Sequence, residues 1–188
     1  AVAIEMLLHF PIRLGNLVGL DLDRHLLRTG HGRRATVMLR IAGGEVKNRE
    51  PIEFLLPPDL VRMIDRYVAR FRPAFARSAS AWLFPNPQGG MRAQQGFGRA
   101  LSELVWKETG LRLSAHTFRH IGAKLYLDAR PGDYETVRRV LGHASIDTTT
   151  GFYTGLETVR AGRRFDETIL GLRRGTALLA RTDRRGRR

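Results

Sequence analysis

The stretch SAHTFRHIGAKLYLDARPGDYETVRRVLGHASIDTTTGFYTG, from Ser114 to Gly155, contains side chains that transfer protons, bind anions and act as nucleophiles. His116 and Arg119 lie three residues apart, so on a helix their side chains point in the same direction. The imidazole can transfer a proton while the guanidinium fork binds the same anion. Taken alone, so short a pattern recurs by chance and is better explained as a helix start with a capping histidine and a surface arginine.

A zinc site is the alternative interpretation of this helix, because His116 and His120 have the i, i+4 spacing of metalloprotease ligands. Two neighbouring features argue against it. No glutamate follows His116, and Arg119 would place a cation beside the metal. The sequence therefore favours an anion as the ligand of this helix, and we expect neither a metal nor another cofactor.

Composition restricts the partner and the compartment. The chain carries 32 Lys and Arg against 18 Asp and Glu, a formal net charge of +14, which indicates a polyanionic partner such as nucleic acid or, as an alternative, an acidic membrane surface. It has no cysteines, which excludes disulfides and thiolate nucleophiles and is compatible with a reducing cytoplasm. No apolar run approaches the roughly 20 residues of a membrane span, and the opening AVAIEMLLHF lacks a basic leader. We expect a soluble, cytoplasmic protein.

The elements that must position these residues are mainly α-helices, with a small antiparallel β-sheet near the N-terminus. Residues 1–10 have the pattern of the end of a helix. Segments separated by stretches rich in glycine and charge predict three strands: Arg24 to Arg28, Ala35 to Ile41 and Pro51 to Leu56.

Apolar periodicity, caps and terminal glycines predict the later helices. They span about Pro58 to Phe71, Gln94 to Glu108 before Gly110, His116 to Leu127 capped by Ser114, Tyr134 to Leu141 before Gly142, a helix from about Thr148 that bears Tyr153, and about Arg164 to Leu179. The basic tail, residues 181–188, has no core-forming residue and is expected to be disordered. We therefore expect a single domain over residues 1–180.

The later part of the opening stretch adds two motifs. LGH ends in His143, and Tyr153 follows ten residues later within TTTGFYTG. The order H-x-x-R, L-G-H, tyrosine resembles the tyrosine recombinases, the phage-integrase family, and the similarity covers about residues 1–170. It implies the fold of that family's C-terminal catalytic domain, without the N-terminal DNA-clamping (core-binding) domain that relatives place upstream.

The resemblance extends to two upstream residues. FPIRLGNLVGLDL supplies Arg13 where the family has its first phosphate-clamping arginine, and GGEVKNREPIEFLLP supplies Lys47 at the hairpin position of its catalytic lysine. By themselves these would be a solvent-facing charge and an exposed hairpin tip. Many relatives carry an acid three residues after the arginine. Here that position is Asn16, so we expect Arg13 to be held by an amide hydrogen bond without a charge pair.

The family chemistry implies that Arg13 and Arg119 bind the non-bridging oxygens of a phosphodiester. Tyr153 would attack phosphorus and form a 3′-phosphotyrosyl link, which stores the bond energy without ATP. The sequence has no tight carboxylate cluster suited to Mg²⁺, in agreement with metal-free chemistry.

The resemblance assigns proton transfer and further phosphate binding to three more residues. Lys47 would protonate the leaving 5′-oxygen, which an ammonium can do near neutral pH and a guanidinium cannot. His116 would assist proton transfer, and His143 would hydrogen-bond the phosphate. The expected catalytic set is Arg13, Lys47, His116, Arg119, His143 and Tyr153.

The resemblance also implies partners, and it leaves a rival function open. It implies double-stranded DNA as the partner, bound by a homotetramer of a protein that can be monomeric when free. Leu170 to Leu179 is either a segment passed to a neighbouring subunit or a helix on its own domain. The rival is a non-catalytic DNA-binding accessory or regulatory protein with the same fold. Arginines that flank loops are candidate phosphate contacts: Arg28, Arg33, Arg34, Arg92 and Arg99. The other tyrosines are expected to be packing residues: Tyr67, Tyr126 and Tyr134.

Overall fold

The computed structural model describes residues 1–30, 35–76, 79–143, 145, 149–150 and 165–171. The chain divides into two units, Ala1–Ile146 and Asp147–Arg188. In the second unit, residues 149–150 and 165–171 are helical. The predictions for residues 172–179 and for the tail at 181–188 lie outside the described residues. None of the helices in the described ranges is long and apolar enough to cross a membrane.

The predicted antiparallel sheet is present in the first unit. Its strands β1 (Leu26–Thr29), β2 (Thr36–Ile41) and β3 (Ile52–Leu55) lie in the order β1-β2-β3. Residues of β2 alternate between exposed and buried, so every second side chain enters the core. At the sheet's end Ile41 pairs with Ile52, and residues 42–51 form the loop between β2 and β3 that carries Lys47.

Seven α-helices complete the described part of the first unit. Their bounds are α1 Val2–His9, α2 Leu14–Val18, α3 Leu22–His25, α4 Pro58–Arg66, α5 Gln94–Thr109, α6 Ala115–Ala129 and α7 Tyr134–Leu141. The predicted caps are confirmed. Ser114 and Thr117 form a capping box at the start of α6. α5 ends at Gly110 with φ 72° and α7 at Gly142 with φ 60°, the left-handed conformation that glycine adopts without a Cβ clash.

Two predicted elements differ from the structure. The strand expected from Arg24 begins only at Leu26, because the Asp21 side chain accepts hydrogen bonds from the main chain of Asp23 and Arg24 and starts α3. The helix expected as far as Phe71 is α-helical only to Arg66. A π-helical turn and a 3₁₀ turn follow it, at residues 67–71 and 72–74. Pro73 has no N–H, so a regular α-helix could not continue through it.

The core places α6 against the N-terminal helices. Met6 and Leu7 of α1 are fully buried, and α1 packs on both α4 and α6. The short α2 and α3 follow α1 directly and connect it to the sheet. This packing brings the helix that carries His116 and Arg119 beside the turn that carries Arg13.

Candidate active site

Arg119 is the most deeply placed member of the predicted set. It is 6% exposed. Its Nη1 donates to the carbonyl of Pro11, and its Nη2 donates to the carbonyl of Leu141 at 2.7 Å. These bonds join α6 to the turn before α2 and to the end of α7. The surface position that an isolated H-x-x-R motif would suggest is therefore wrong for Arg119.

Arg13 is the N-cap residue of α2 and is half-buried. It lines two adjoining hollows. One is shared with Arg119 and Gly142, and the other is shared with Asn16 and Lys47. The two predicted arginines and the predicted lysine are thus brought together around Arg13, although they are up to about a hundred residues apart in the sequence.

His116 and His120 lie one turn apart on α6 and face each other. Their Nε2 atoms are 3.0 Å apart, and their rings meet edge to face with centroids 4.5 Å apart. Burial lowers the pKa of His120, and the charges of His116 and Arg119 lower it further. A neutral His120 can share one proton with His116 in an N–H···N bond.

His143 follows the left-handed Gly142 at the end of α7. Its main-chain N–H donates to the carbonyl of Arg138, and its own carbonyl accepts from the Arg138 guanidinium at 2.9 Å. Burial lowers the pKa of the His143 imidazole. The charges of Arg119 and Arg13, then of the two α6 histidines, act in the same direction. His143 therefore lies within the same electrostatic cluster as the two arginines.

Lys47 is exposed in the loop between β2 and β3, as predicted for a hairpin position. The residues on both sides of it are anchored. The Glu45 carboxylate lies 3.3 Å from Nε2 of His25, and Nδ2 of Asn48 donates to the carbonyl of Gly142 at 2.9 Å. The Asn48 bond links the Lys47 loop directly to the turn that presents His143.

Asn16 makes a contact different from the expected one. Its Nδ2 donates to the carbonyl of Glu45 at 3.3 Å, so its described hydrogen bond supports the Lys47 loop instead of Arg13. Sequence analysis did not single out Glu45, His25 or Asn48. The available signal was that Glu45 and Asn48 lie within two residues of Lys47 in the sequence.

The candidate DNA contacts and the predicted nucleophile differ in their surroundings. Arg28 pairs with Asp65, the guanidinium of Arg92 stacks 5.5 Å from the ring centroid of Phe97, and Arg99 is exposed on α5. Arg33, Arg34 and Tyr153 lie outside the described residues.

The three tyrosines expected to pack are also placed differently from one another. Tyr67 packs on Phe84 with ring centroids 5.7 Å apart, and burial raises its pKa. Tyr126 is instead an exposed residue whose hydroxyl donates to Asp133 at 2.6 Å. Tyr134 is half-buried at the start of α7.

Solved structures with similar folds are tyrosine recombinases and integrases. A XerH site-specific recombinase bound to a palindromic difH substrate in a post-cleavage complex aligns with TM-score 0.66 at 19% identity, over 87% of this chain and 44% of its own. A XerA recombinase aligns with TM-score 0.61 at 20% identity, over 88% of this chain and 57% of its own. At these identities the similarity shows the fold, which confirms the predicted catalytic-domain architecture.

Sequence relatives give the same assignment. Tyrosine recombinase XerD of Mycobacterium tuberculosis H37Rv is 35% identical over 166 residues, which are 85% of this chain and 48% of the relative. Tyrosine recombinase XerC of Brucella melitensis is 34% identical over 115 residues, 58% of this chain and 35% of the relative. The chain thus spans about half the length of the curated relatives that it matches, or less. Residues 1–159 match the sequence profile of the Phage integrase family, and the chain belongs to that family.

Proposed function

We propose that this chain is the catalytic domain of a site-specific tyrosine recombinase, which cleaves and rejoins double-stranded DNA through a 3′-phosphotyrosyl intermediate. The observation that carries the proposal is the assembly of Arg13, Arg119, His116 and His143 into one cluster with Lys47 beside it. Cations with fixed directions suit a phosphodiester, whose transition state gathers negative charge on the non-bridging oxygens.

The first chemical step exchanges one phosphorus–oxygen bond for another. The Tyr153 oxygen attacks phosphorus and the bond to the 5′-oxygen breaks, so the strand ends as a 3′-phosphotyrosine and a free 5′-hydroxyl. The phenol proton passes to a base, for which His116 is our candidate. Lys47 supplies the proton that the leaving 5′-oxygen takes up. No proton or bond energy is lost, and attack by a 5′-hydroxyl of a partner strand reverses the step.

Arg13 and Arg119 would stabilise the charge on the non-bridging oxygens. The Arg119 bonds to two main-chain carbonyls hold its guanidinium in one orientation before substrate arrives. Such preorganised donors stabilise a transition state without reorganising during the reaction. A neutral His143 would add a hydrogen bond to the same phosphate, since its lowered pKa leaves it uncharged at pH 7.

The extent of the domain and its assembly are part of the proposal. We assign residues 1–180 to the catalytic domain and residues 181–188 to a basic tail, in a protein that acts in the cytoplasm. A lambda integrase in the same fold class has been solved as a tetramer bound to a Holliday junction. By analogy, this chain would act as a homotetramer on two duplexes, with Leu170 to Leu179 as a candidate segment for contact between subunits.

The test is a covalent trap. The protein is incubated with supercoiled plasmid, or with a nicked suicide duplex once a preferred site is mapped, and the reaction is stopped with SDS. We expect a protein–DNA adduct from the wild type, none from Tyr153→Phe, and an unchanged yield from Tyr134→Phe as the matched control. An adduct that persists in Tyr153→Phe would show that another residue is the nucleophile. Salt-sensitive DNA binding with no adduct from any variant would favour the non-catalytic DNA-binding function.

A further inference from the structure

The loop that carries Lys47 is long for the connection that it makes. Residues 42–51 join two antiparallel strands, whereas hairpin loops commonly have about two to five residues. A loop of this length has many conformations unless contacts select one. An ammonium group that must reach one oxygen atom needs such selection, because a misplacement of about 1 Å can cost roughly 100-fold in rate.

The loop adopts a conformation that requires support. Arg49 has φ 58°, the left-handed conformation that side chains other than glycine seldom adopt. A Cβ on Gly43 would clash with the carbonyl oxygen of Arg49, so the two ends of the loop approach each other closely. Backbone of this kind persists where surrounding contacts determine it.

His25 supplies one such contact from the buried part of the fold. It is 3% exposed at the end of α3. Its Nδ1 accepts a hydrogen bond from the main-chain N–H of Asp21 at 2.9 Å, which places the proton of a neutral ring on Nε2. That Nε2 faces the Glu45 carboxylate at 3.3 Å, so His25 donates to Glu45.

Further contacts anchor the loop on both sides of Lys47. The Glu45 carboxylate pairs with Nη2 of Arg24 at 3.1 Å, and the Glu45 carbonyl accepts from Asn16 at 3.3 Å. Beyond Lys47, Asn48 donates to the end of α7. The Glu45 carboxylate thus connects the loop to the buried His25 and to the exposed Arg24.

We propose that His25 and Glu45 form a positioning pair that holds the Lys47 loop beside Arg13. Both residues line the hollow that Arg13 and Lys47 share, and we assign them a role through the placement of the lysine and not through contact with the reacting atoms. This inference rests on the proposed function of Lys47 as the proton donor to the leaving oxygen. It also makes a structural claim that needs no DNA.

The structural claim is tested by amide hydrogen exchange over residues 42–51 of the free protein. Main-chain N–H groups of Glu45, Val46 and Arg49 donate within the loop, so their exchange reports its order. We expect Glu45→Ala to exchange at least about tenfold faster there than wild type. Glu45→Gln keeps an oxygen that accepts from His25, so its exchange should stay within about threefold of wild type. Glu103→Ala, which removes an exposed glutamate of α5, is the control. Wild-type exchange in Glu45→Ala would overturn the proposal.

The functional claim is tested by a double-mutant cycle on the rate of adduct formation. If Glu45 acts through Lys47, Glu45→Ala alone should form the adduct roughly 10- to 100-fold more slowly than wild type. In a protein that already carries Lys47→Ala, it should cause no further loss of rate. Glu45→Gln should restore most of the rate. Independent, additive losses would overturn the positioning role. If the wild type forms no adduct, or Lys47→Ala loses nothing, the proposed function of Lys47 fails, and the exchange result still decides whether the pair holds the loop.

Discussion

At the scale of single residues, the electrostatics of His143 decide which of its forms meets the substrate. Burial lowers its pKa most, and the positive charges of Arg119 and Arg13 add to the effect. The imidazole is therefore neutral at pH 7 and has one donor and one acceptor nitrogen. In the proposed mechanism the guanidiniums would supply the charge of the site, while His143 would supply a directed hydrogen bond.

Removing one of these charges should move the titration of His143 in a known direction. We expect Arg13→Gln to raise the pKa of His143 towards its ordinary value, because one repelling cation is lost. Histidine chemical shifts followed by NMR across pH 4–8 would measure the change. Arg62→Gln on α4 is the control, since Arg62 is not among the causes of the shift. A wild-type His143 that titrates at or above about 6.5 would contradict the prediction.

The same shift fixes how stability depends on pH. An unfolded chain takes up the His143 proton at a pH near 6.5, whereas the folded protein takes it up only at lower pH. The contribution of His143 to stability is therefore complete above about pH 6.5 and declines as the pH falls through the folded pKa. Its loss should be smaller in Arg13→Gln.

At the scale of elements, sequence patterns correctly predicted the helix ends that are set by local capping residues. The ends of α5, α6 and α7 were predictable because Gly110, Ser114 and Gly142 are caps whose effect depends only on nearby backbone. The helices α2, of five residues, and α3, of four, were missed because they are too short to show a period. The bond from Asn48 to Gly142 spans 94 positions, and no local pattern encodes such a pairing.

The two glycine caps offer a matched test of that long-range contact. Both have positive φ, so alanine at either position should cost about 1 kcal/mol of folding stability. At Gly110 an added Cβ meets nothing within 4 Å, whereas at Gly142 it meets Nδ2 of Asn48 at 3.0 Å. We expect both variants to lose stability in urea unfolding, Gly142→Ala more because its Cβ disturbs the Asn48 hydrogen bond, and adduct formation to fall in Gly142→Ala alone. Equal adduct rates in the two variants would show that the Asn48 contact does not support the site.

At the scale of the whole molecule, acidic residues neutralise some of the described arginines and leave others unneutralised. Several described arginines are paired with acids, among them Arg28 with Asp65 and Arg40 with Glu53. Such pairs contribute little net field to a distant anion. The family motifs could be predicted from the sequence because their residue types are fixed by chemistry. Which arginines remain available to DNA depends on pairing in three dimensions, and Arg28, which pairs with Asp65, stays a prediction.

The last eight residues hold five arginines and one aspartate, so they carry four of the fourteen net positive charges. If these cations contact phosphates, deleting residues 181–188 should weaken binding to a duplex of arbitrary sequence and flatten its salt dependence. The logarithm of the binding constant falls with the logarithm of salt concentration by about 0.9 per neutralised phosphate. We therefore expect the magnitude of the slope to decrease by roughly 1 to 4 units in fluorescence anisotropy titrations. The two proteins should converge in affinity at high salt, where counterion release no longer favours binding. An unchanged slope would mean that the phosphate contacts lie entirely in residues 1–180.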